Sequence, residues 1–175
     1  IIIIGHSMGG KIAMAVTEYI PEKIKQLIII DVAPVAYTVH RHTEIFQALN
    51  AVSQAQLTDR KEAASLMRTF LEEEFVTQFL LKSFKHGEWK FNVPILEQRY
   101  SEIIGWQTIP TYSKPTLFII GGDSGYVQKD DQALILQQFP KATAKVITGA
   151  GHWVHAQKTE AVLRAIHLFL DEHAA

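Results

Sequence analysis

Residues 1–10 read IIIIGHSMGG, and this stretch decides the fold. The four isoleucines form an apolar, β-branched run, which predicts a short strand buried on both faces. Residues 5–9 follow the pattern G-x-S-x-G, and residues 8–19 have helical spacing of apolar side chains. A strand, a tight turn and a helix in this order are typical of a nucleophile elbow, which exposes the hydroxyl of Ser7 at the end of the strand. We expect Gly5 and Gly9 to allow the close approaches of the turn.

Strand and helix patterns alternate in the first and last parts of the chain. Further strands are predicted at residues 26–30, 115–120 and 144–147, with later helices at residues 130–139 and 159–170. Because helices connect successive strands, we expect four parallel strands flanked by helices, with right-handed crossovers. The chain is therefore predicted to be an α/β protein.

Residues 38–107 differ from the rest of the chain, since their charge is higher and helical periodicity dominates. Three apolar stripes predict three or four helices, one capped by Thr58 or Asp59 and another ending near His86 and Gly87. We expect a helical cap or lid here, inserted into a core formed by residues 1–37 and 108–175. Its aromatic side chains either pack internally or line a substrate pocket, and the sequence leaves both interpretations open.

Composition excludes several classes of function. The 175 residues suit one domain with a sizeable core, and a net charge of −1 without a basic stripe argues against nucleic acid as a partner. The lack of cysteine excludes disulfides, a cysteine nucleophile and thiolate metal sites, and it fits a cytoplasmic location. No apolar run approaches the roughly 18 residues of a membrane span. The oligomeric state stays open.

Serine chemistry requires partners for Ser7. A serine hydroxyl needs a base within hydrogen-bond reach, and the base needs a group that fixes its tautomer. His152 follows the last predicted strand in a glycine-flanked turn, so it is the predicted base; the other histidines are expected to have surface or packing roles. The backbone N–H of Met8 is the predicted oxyanion donor, worth roughly 3–4 kcal/mol in the transition state.

Two aspartates are candidates for the orienting acid. Asp31 is the first polar residue after the strand at residues 26–30, whereas Asp123 follows the strand at residues 115–120. Counting back from Val127 in a pattern such as G-x-x-D-x-x-V places Ser124 where the aspartate belongs, so Asp123 comes one residue early. The sequence favours Asp31, and Asp123 is the alternative.

Five segments together resemble the bacterial YbfF-type esterases of the α/β-hydrolase superfamily: GHSMGG, LIIIDVAP, WKFNVPIL, LFIIGGDSGYV and GAGHWVHA. The resemblance covers essentially the whole chain. It implies hydrolysis of small-molecule carboxylic esters, with acyl-CoA thioesters among the substrates, and no metal or cofactor. It also implies that the acid follows the strand after the elbow, which is Asp31. Because such proteins carry about four further strands and an oxyanion loop before the elbow, we expect this chain to be the C-terminal part of an α/β-hydrolase fold.

Two other hypotheses stay open at this point. The same scaffold hosts carbon–carbon bond hydrolases, lactonases and perhydrolases, so the fold alone does not decide the reaction. A truncated domain without activity, acting only as a binding module, is the other. Nucleotide binding is disfavoured, because residues 5–11 lack the order G-x-x-x-x-G-K-[ST].

Overall fold

The computed structural model describes residues 1–40 and 42–174. The chain forms two compact units, unit 1 (Ile1–Ala36 with Gly105–Ala175) and unit 2 (Tyr37–Ile104). The expected bounds, residues 1–37 with 108–175 and residues 38–107, and the role of the second part as a cap stay predictions.

The strands are β1 (Ile2–His6), β2 (Gln26–Ile30), β3 (Phe84–Lys85), β4 (Glu88–Trp89), β5 (Thr116–Gly121) and β6 (Ala142–Ile147). The helices are α1 (Met8–Tyr19), α2 (Thr43–Gln54), α3 (Arg60–Met67), α4 (Glu74–Leu81), α5 (Val93–Gln98), α6 (Tyr100–Ile104), α7 (Gln132–Gln138), α8 (Val154–Gln157) and α9 (Thr159–Glu172). In the described part of the chain, no helix combines the length and the apolar character that crossing a membrane requires.

Unit 1 contains a four-stranded sheet in the order β1-β2-β5-β6, and every neighbouring pair is parallel. The predicted four parallel strands are therefore confirmed. Ile28 and Ile119 pack with Phe169 of α9 in one buried cluster. Ile29 points to the other face, because side chains alternate along a strand, and α1 lies there, with Ile29 Cγ2 3.3 Å from where a Cβ on Gly10 would be. Helices α1 and α9 thus lie on opposite faces of the sheet.

The first strand is more exposed than its apolar run predicts. All five residues of β2 are buried, whereas Ile2 and Ile4 of β1 are 47% and 51% exposed. In the sheet described, β1 pairs only with β2 and lies at an edge. The prediction of a strand buried on both faces is therefore wrong for β1, because an apolar run indicates a preference for burial and does not supply the neighbours that bury it.

The elbow is a strained turn between β1 and α1. Ser7 has φ 54° and ψ −121°, a conformation unusual for a residue with a side chain. A Cβ on Gly5 would lie 2.2 Å from the carbonyl oxygen of Gly9, so the expected close approach exists there. A Cβ on Gly9 would meet nothing within 4 Å, so the expected close approach at Gly9 does not exist. The second close approach is at Gly10, 2.6 Å from Val32 Cγ1.

Lys11 of α1 holds together the two places where the chain leaves and re-enters unit 1. Its buried ammonium donates to the carbonyl oxygens of Val35 and Gly105, at 2.7 Å each. It also lies 5.9 Å from the ring centroid of Trp106. Burial lowers the pKa of Lys11 to about 8. The nucleophile helix is thus linked to both chain crossings.

Unit 2 contains the five helices α2–α6 and a small antiparallel hairpin of β3 and β4. Asp59 is the cap of α3, where Oδ1 accepts from the N–H groups of Lys61 and Glu62. The expectation that a helix ends near His86 and Gly87 is wrong. Both residues have positive φ, 53° and 84°, which suits the two-residue turn of a hairpin.

Candidate active site

Three residues far apart in the chain meet at the carboxyl ends of the parallel strands. Ser7 follows β1, Asp31 follows β2, and His152 lies in the loop after β6. His152 Nε2 lies 2.8 Å from Ser7 Oγ, and His152 Nδ1 lies 2.8 Å from Asp31 Oδ2. The residues predicted as nucleophile, base and acid are therefore in contact, and their catalytic roles stay predictions.

The carboxylate of Asp31 determines which atoms of His152 and Ser7 carry the protons. An ionised carboxylate can only accept, so Nδ1 of His152 donates to Asp31. In the neutral ring Nε2 then carries no proton, and it accepts from the hydroxyl of Ser7. This is the tautomer that a general base requires.

Asp31 is a buried carboxylate with several donors around it. Its side chain has no exposed surface. Oδ1 accepts from the N–H of Gly121 at 2.9 Å, and Oδ2 accepts from the hydroxyl of Ser124 at 2.5 Å, in addition to His152. Such donors compensate for the loss of water around the charge. Asp31 also has φ 52°, a region that aspartate and asparagine tolerate better than other side chains do.

Asp123 is placed differently. It is exposed, and its backbone N–H donates to the carbonyl of Ala150 at 2.9 Å. The residue next to it, Ser124, instead contacts Asp31. The structure thus brings Asp31 to His152, and the side chain of Ser124 stands where the G-x-x-D-x-x-V pattern would put an acid. The sequence does not assign Ser124 to the site. Its position in the G-x-x-D-x-x-V pattern is the signal that could have identified it.

The loop that carries His152 packs closely over the end of β5. A Cβ on Gly121 would lie 2.4 Å from the carbonyl oxygen of Gly151, so only glycine fits there. The N–H of Gly151 donates to Gln157 Oε1 at 2.6 Å. The ring of Tyr126 stacks on the imidazole of His152, with centroids 3.7 Å apart and an angle of 16° between the planes. The residues after β5 therefore support both Asp31 and His152.

His6 is a second histidine of this site, where sequence reasoning expected a surface or packing role. Its Nε2 lies 2.8 Å from the carbonyl oxygen of His152, and its ring centroid lies 4.8 Å from that of His152 and 4.4 Å from that of His155. Burial lowers the pKa of His6 to about 4. The sequence signal that could have drawn attention to His6 is its position next to Ser7.

Met8 opens the nucleophile helix. Its side chain is 44% exposed, and its N–H is among the first of α1, which have no acceptor within the helix. The N-terminal end of α1 also carries a partial positive charge. This N–H can donate to an anion beside Ser7, and the role of Met8 stays a prediction. Across residues 1–40 and 42–174, no cluster of three or more histidine or carboxylate side chains is arranged to hold a metal ion.

Comparison with known proteins agrees with this architecture. A family described as "alpha/beta hydrolase fold" matches residues 1–159. The chain is 55% identical to Esterase YbfF of Escherichia coli (strain K12) over 169 residues, which are 97% of this chain and 66% of that protein. It is 33% identical over 179 residues to the sn-1-specific diacylglycerol lipase ABHD11 of Mus musculus, covering 97% of this chain and 58% of that protein.

A solved structure titled "Marine microorganism esterase" superposes with a TM-score of 0.90 at 35% identity, covering 97% of this chain and 69% of that one. The chain spans less than two thirds of the length of the two curated relatives, at 66% and 58%.

Proposed function

Because the chain belongs to the α/β-hydrolase family, we propose that it carries the catalytic residues of a serine hydrolase for carboxylic esters. Ser7 is the nucleophile, His152 the general base and acid, and Asp31 the orienting acid. The observation that carries the proposal is the pair of 2.8 Å contacts that link His152 to Ser7 and Asp31. The relatives named as an esterase and a lipase support the ester substrate class.

Acylation uses the hydrogen bonds described above. His152 Nε2 takes the proton of Ser7 as Oγ attacks the ester carbonyl, and a tetrahedral intermediate forms. Asp31 stabilises the imidazolium through the Nδ1–H bond. The imidazolium then gives its proton to the leaving alkoxide, and the alcohol departs from the acyl-enzyme.

Deacylation repeats these steps with water. His152 takes a proton from a water molecule as its oxygen attacks the acyl carbon. Collapse of the second intermediate returns that proton to Ser7 Oγ and releases the carboxylic acid. In both halves of the reaction, the N–H of Met8 donates to the oxyanion. Removing one such donor from another enzyme raises the barrier by roughly 3–4 kcal/mol.

Acyl-CoA thioesters fit the same mechanism. Attack by Ser7 on a thioester carbonyl forms the same acyl-enzyme, and a thiolate leaves more readily than an alkoxide. Thioesterase activity is therefore part of the proposal. A cytoplasmic location stays a prediction from the cysteine-free composition.

The test is covalent labelling with an organophosphonate, read by intact mass and peptide mapping. We expect a single adduct on Ser7, and loss of both the adduct and ester hydrolysis in Ser7→Ala. Ser101→Ala, at an exposed serine of unit 2, is the matched control and should label as wild type does. Full hydrolysis by Ser7→Ala, or an adduct on another residue, would rule the proposal out. A panel of esters, thioesters and lactones then gives the leaving group.

A further inference from the structure

We propose that His6 is a positioning residue for the reaction: its side chain fixes the main chain of the base-bearing loop against the nucleophile elbow while Ser7 is acylated. This inference rests on the proposed function. It adds a residue that acts through His152 without touching the reacting atoms. The key contact is His6 Nε2 to the carbonyl oxygen of His152, at 2.8 Å.

The sheet order shows what this contact connects. Ser7 follows β1, and the loop with His152 follows β6, at the opposite edge of the four-stranded sheet. Neighbouring strands are about 4.8 Å apart, so β1 and β6 are separated by roughly 14 Å. The loop must therefore reach across the ends of β2 and β5 before its imidazole meets Ser7.

Support along this path comes in three places. Over β2, Asp31 accepts from Nδ1 of His152. Over β5, the N–H of Asp123 donates to the carbonyl of Ala150, and the missing Cβ of Gly121 lets the loop lie close. At the far end, His6 of β1 holds the carbonyl of His152 itself. His6 thus ties the base to the strand that carries the nucleophile.

The donor state of His6 is fixed by its surroundings. A carbonyl oxygen accepts, so the proton of this bond lies on Nε2 of His6. Burial keeps the pKa of His6 at about 4; His152 and His155 also face the ring and lower it, whereas the bond to His152 and the charge of Asp31 raise it. At neutral pH, His6 is therefore a neutral Nε2–H donor.

The hydrogen bond from His6 to the carbonyl of His152 matters most in the acyl-enzyme. Once Ser7 Oγ is esterified, it has no proton to donate, and the hydrogen bond from Ser7 to His152 Nε2 is absent. The bond from His6 uses neither reacting atom, so it persists through that stage. Together with the contacts of His152 to Asp31 and Tyr126, it keeps the imidazole in place to take a proton from water. Because the contact to Ser7 is lost at this stage, deacylation depends on His6 more than acylation does.

The test compares His6→Gln, whose amide N–H reaches about as far as Nε2, with His6→Met, which fills the space without a donor. Rapid-quench mass spectrometry with a p-nitrophenyl ester gives the acylation and deacylation rates separately. Loss of one hydrogen bond predicts about tenfold slower deacylation in His6→Met, with a smaller loss in acylation, so that acyl-enzyme accumulates. His6→Gln should restore most of the rate. His167→Met, at an exposed position of α9, is the control.

Equal losses in the two steps, or no rescue by glutamine, would overturn the proposal. A second reading does not need turnover: imidazole ¹⁵N chemical shifts at neutral pH should show His6 as the Nε2–H tautomer. An Nδ1–H tautomer overturns the inference whatever the activity. Hydrolysis that survives Ser7→Ala would instead refute the proposed function, and the two failures are therefore distinguishable.

Discussion

Replacing Asp31 by asparagine changes one atom of the site and should remove most of its activity. The backbone tolerates the change, because asparagine is among the few residues that accept the φ of 52° found here. The orientation of the new amide is also determined. The N–H of Gly121 donates to Oδ1, so that position must stay an oxygen and the NH₂ group takes the place of Oδ2.

The amide nitrogen then points at His152. It donates to Nδ1, which must give up its proton, and the proton of the neutral ring moves to Nε2, facing Ser7. The base has lost its free lone pair, whereas the hydroxyl of Ser124 can rotate to accept from the new NH₂. A tautomer reversed in this way lowers kcat by about 10⁴ in a serine protease, or about 5 kcal/mol of barrier. We expect a loss of this order here.

The assay is steady-state ester hydrolysis, together with the rate of organophosphonate labelling at Ser7, which should fall in parallel. Thermal unfolding checks that the variant is folded. Asp123→Asn is the matched control, since Asp123 is exposed, and its activity should equal that of wild type. If Asp31→Asn keeps wild-type turnover, or if Asp123→Asn loses it, the assignment of the acid is wrong.

Four further predictions concern Ser124, Gly5, Gly9 and His6. Ser124→Ala removes one donor to Asp31 and should lower kcat about tenfold, measured with the same ester. Gly5→Ala places a Cβ 2.2 Å from a carbonyl oxygen and should cost about 3 kcal/mol or more in urea unfolding, whereas Gly9→Ala has open space and should stabilise α1 by up to about 1 kcal/mol. The pKa of His6 is 6.5 unfolded and about 4 folded, so the unfolded state binds more protons between these values and stability falls as pH falls. Wild type should therefore lose about 2 kcal/mol more than His6→Gln between pH 7 and pH 4.5; equal losses would contradict the lowered pKa.

The sequence predicts the parallel sheet well because β1, β2 and β5 are largely apolar runs that end at a distinct polar or glycine residue, and β6 lies between a helix and a glycine-rich turn. Ser7 and Asp31 directly follow such runs, His152 lies in the glycine-flanked turn after β6, and the carboxyl ends of parallel strands meet at one edge of the sheet. Their proximity could therefore be anticipated from the order of elements alone.

Contacts made through loop conformation could not be anticipated in the same way. Ser124 and His6 reach partners 93 and 146 residues away, and their directions depend on turns whose φ and ψ no local pattern specifies. The pattern does not predict the hairpin at His86 and Gly87, because a glycine after an apolar stripe also suits a helix end. Exposure of β1 depends on neighbours, which a residue pattern does not contain.

The contacts of the Lys11 ammonium bear on how the segment between Val35 and Gly105 can be engineered. It binds the carbonyl oxygens of Val35 and Gly105 at 2.7 Å each, so these two oxygens are no more than about 5.4 Å apart. The two ends of the segment between them therefore lie next to each other in unit 1. We expect such a segment to tolerate changes in length, because its ends adjoin and β2 and β5 pair directly with each other.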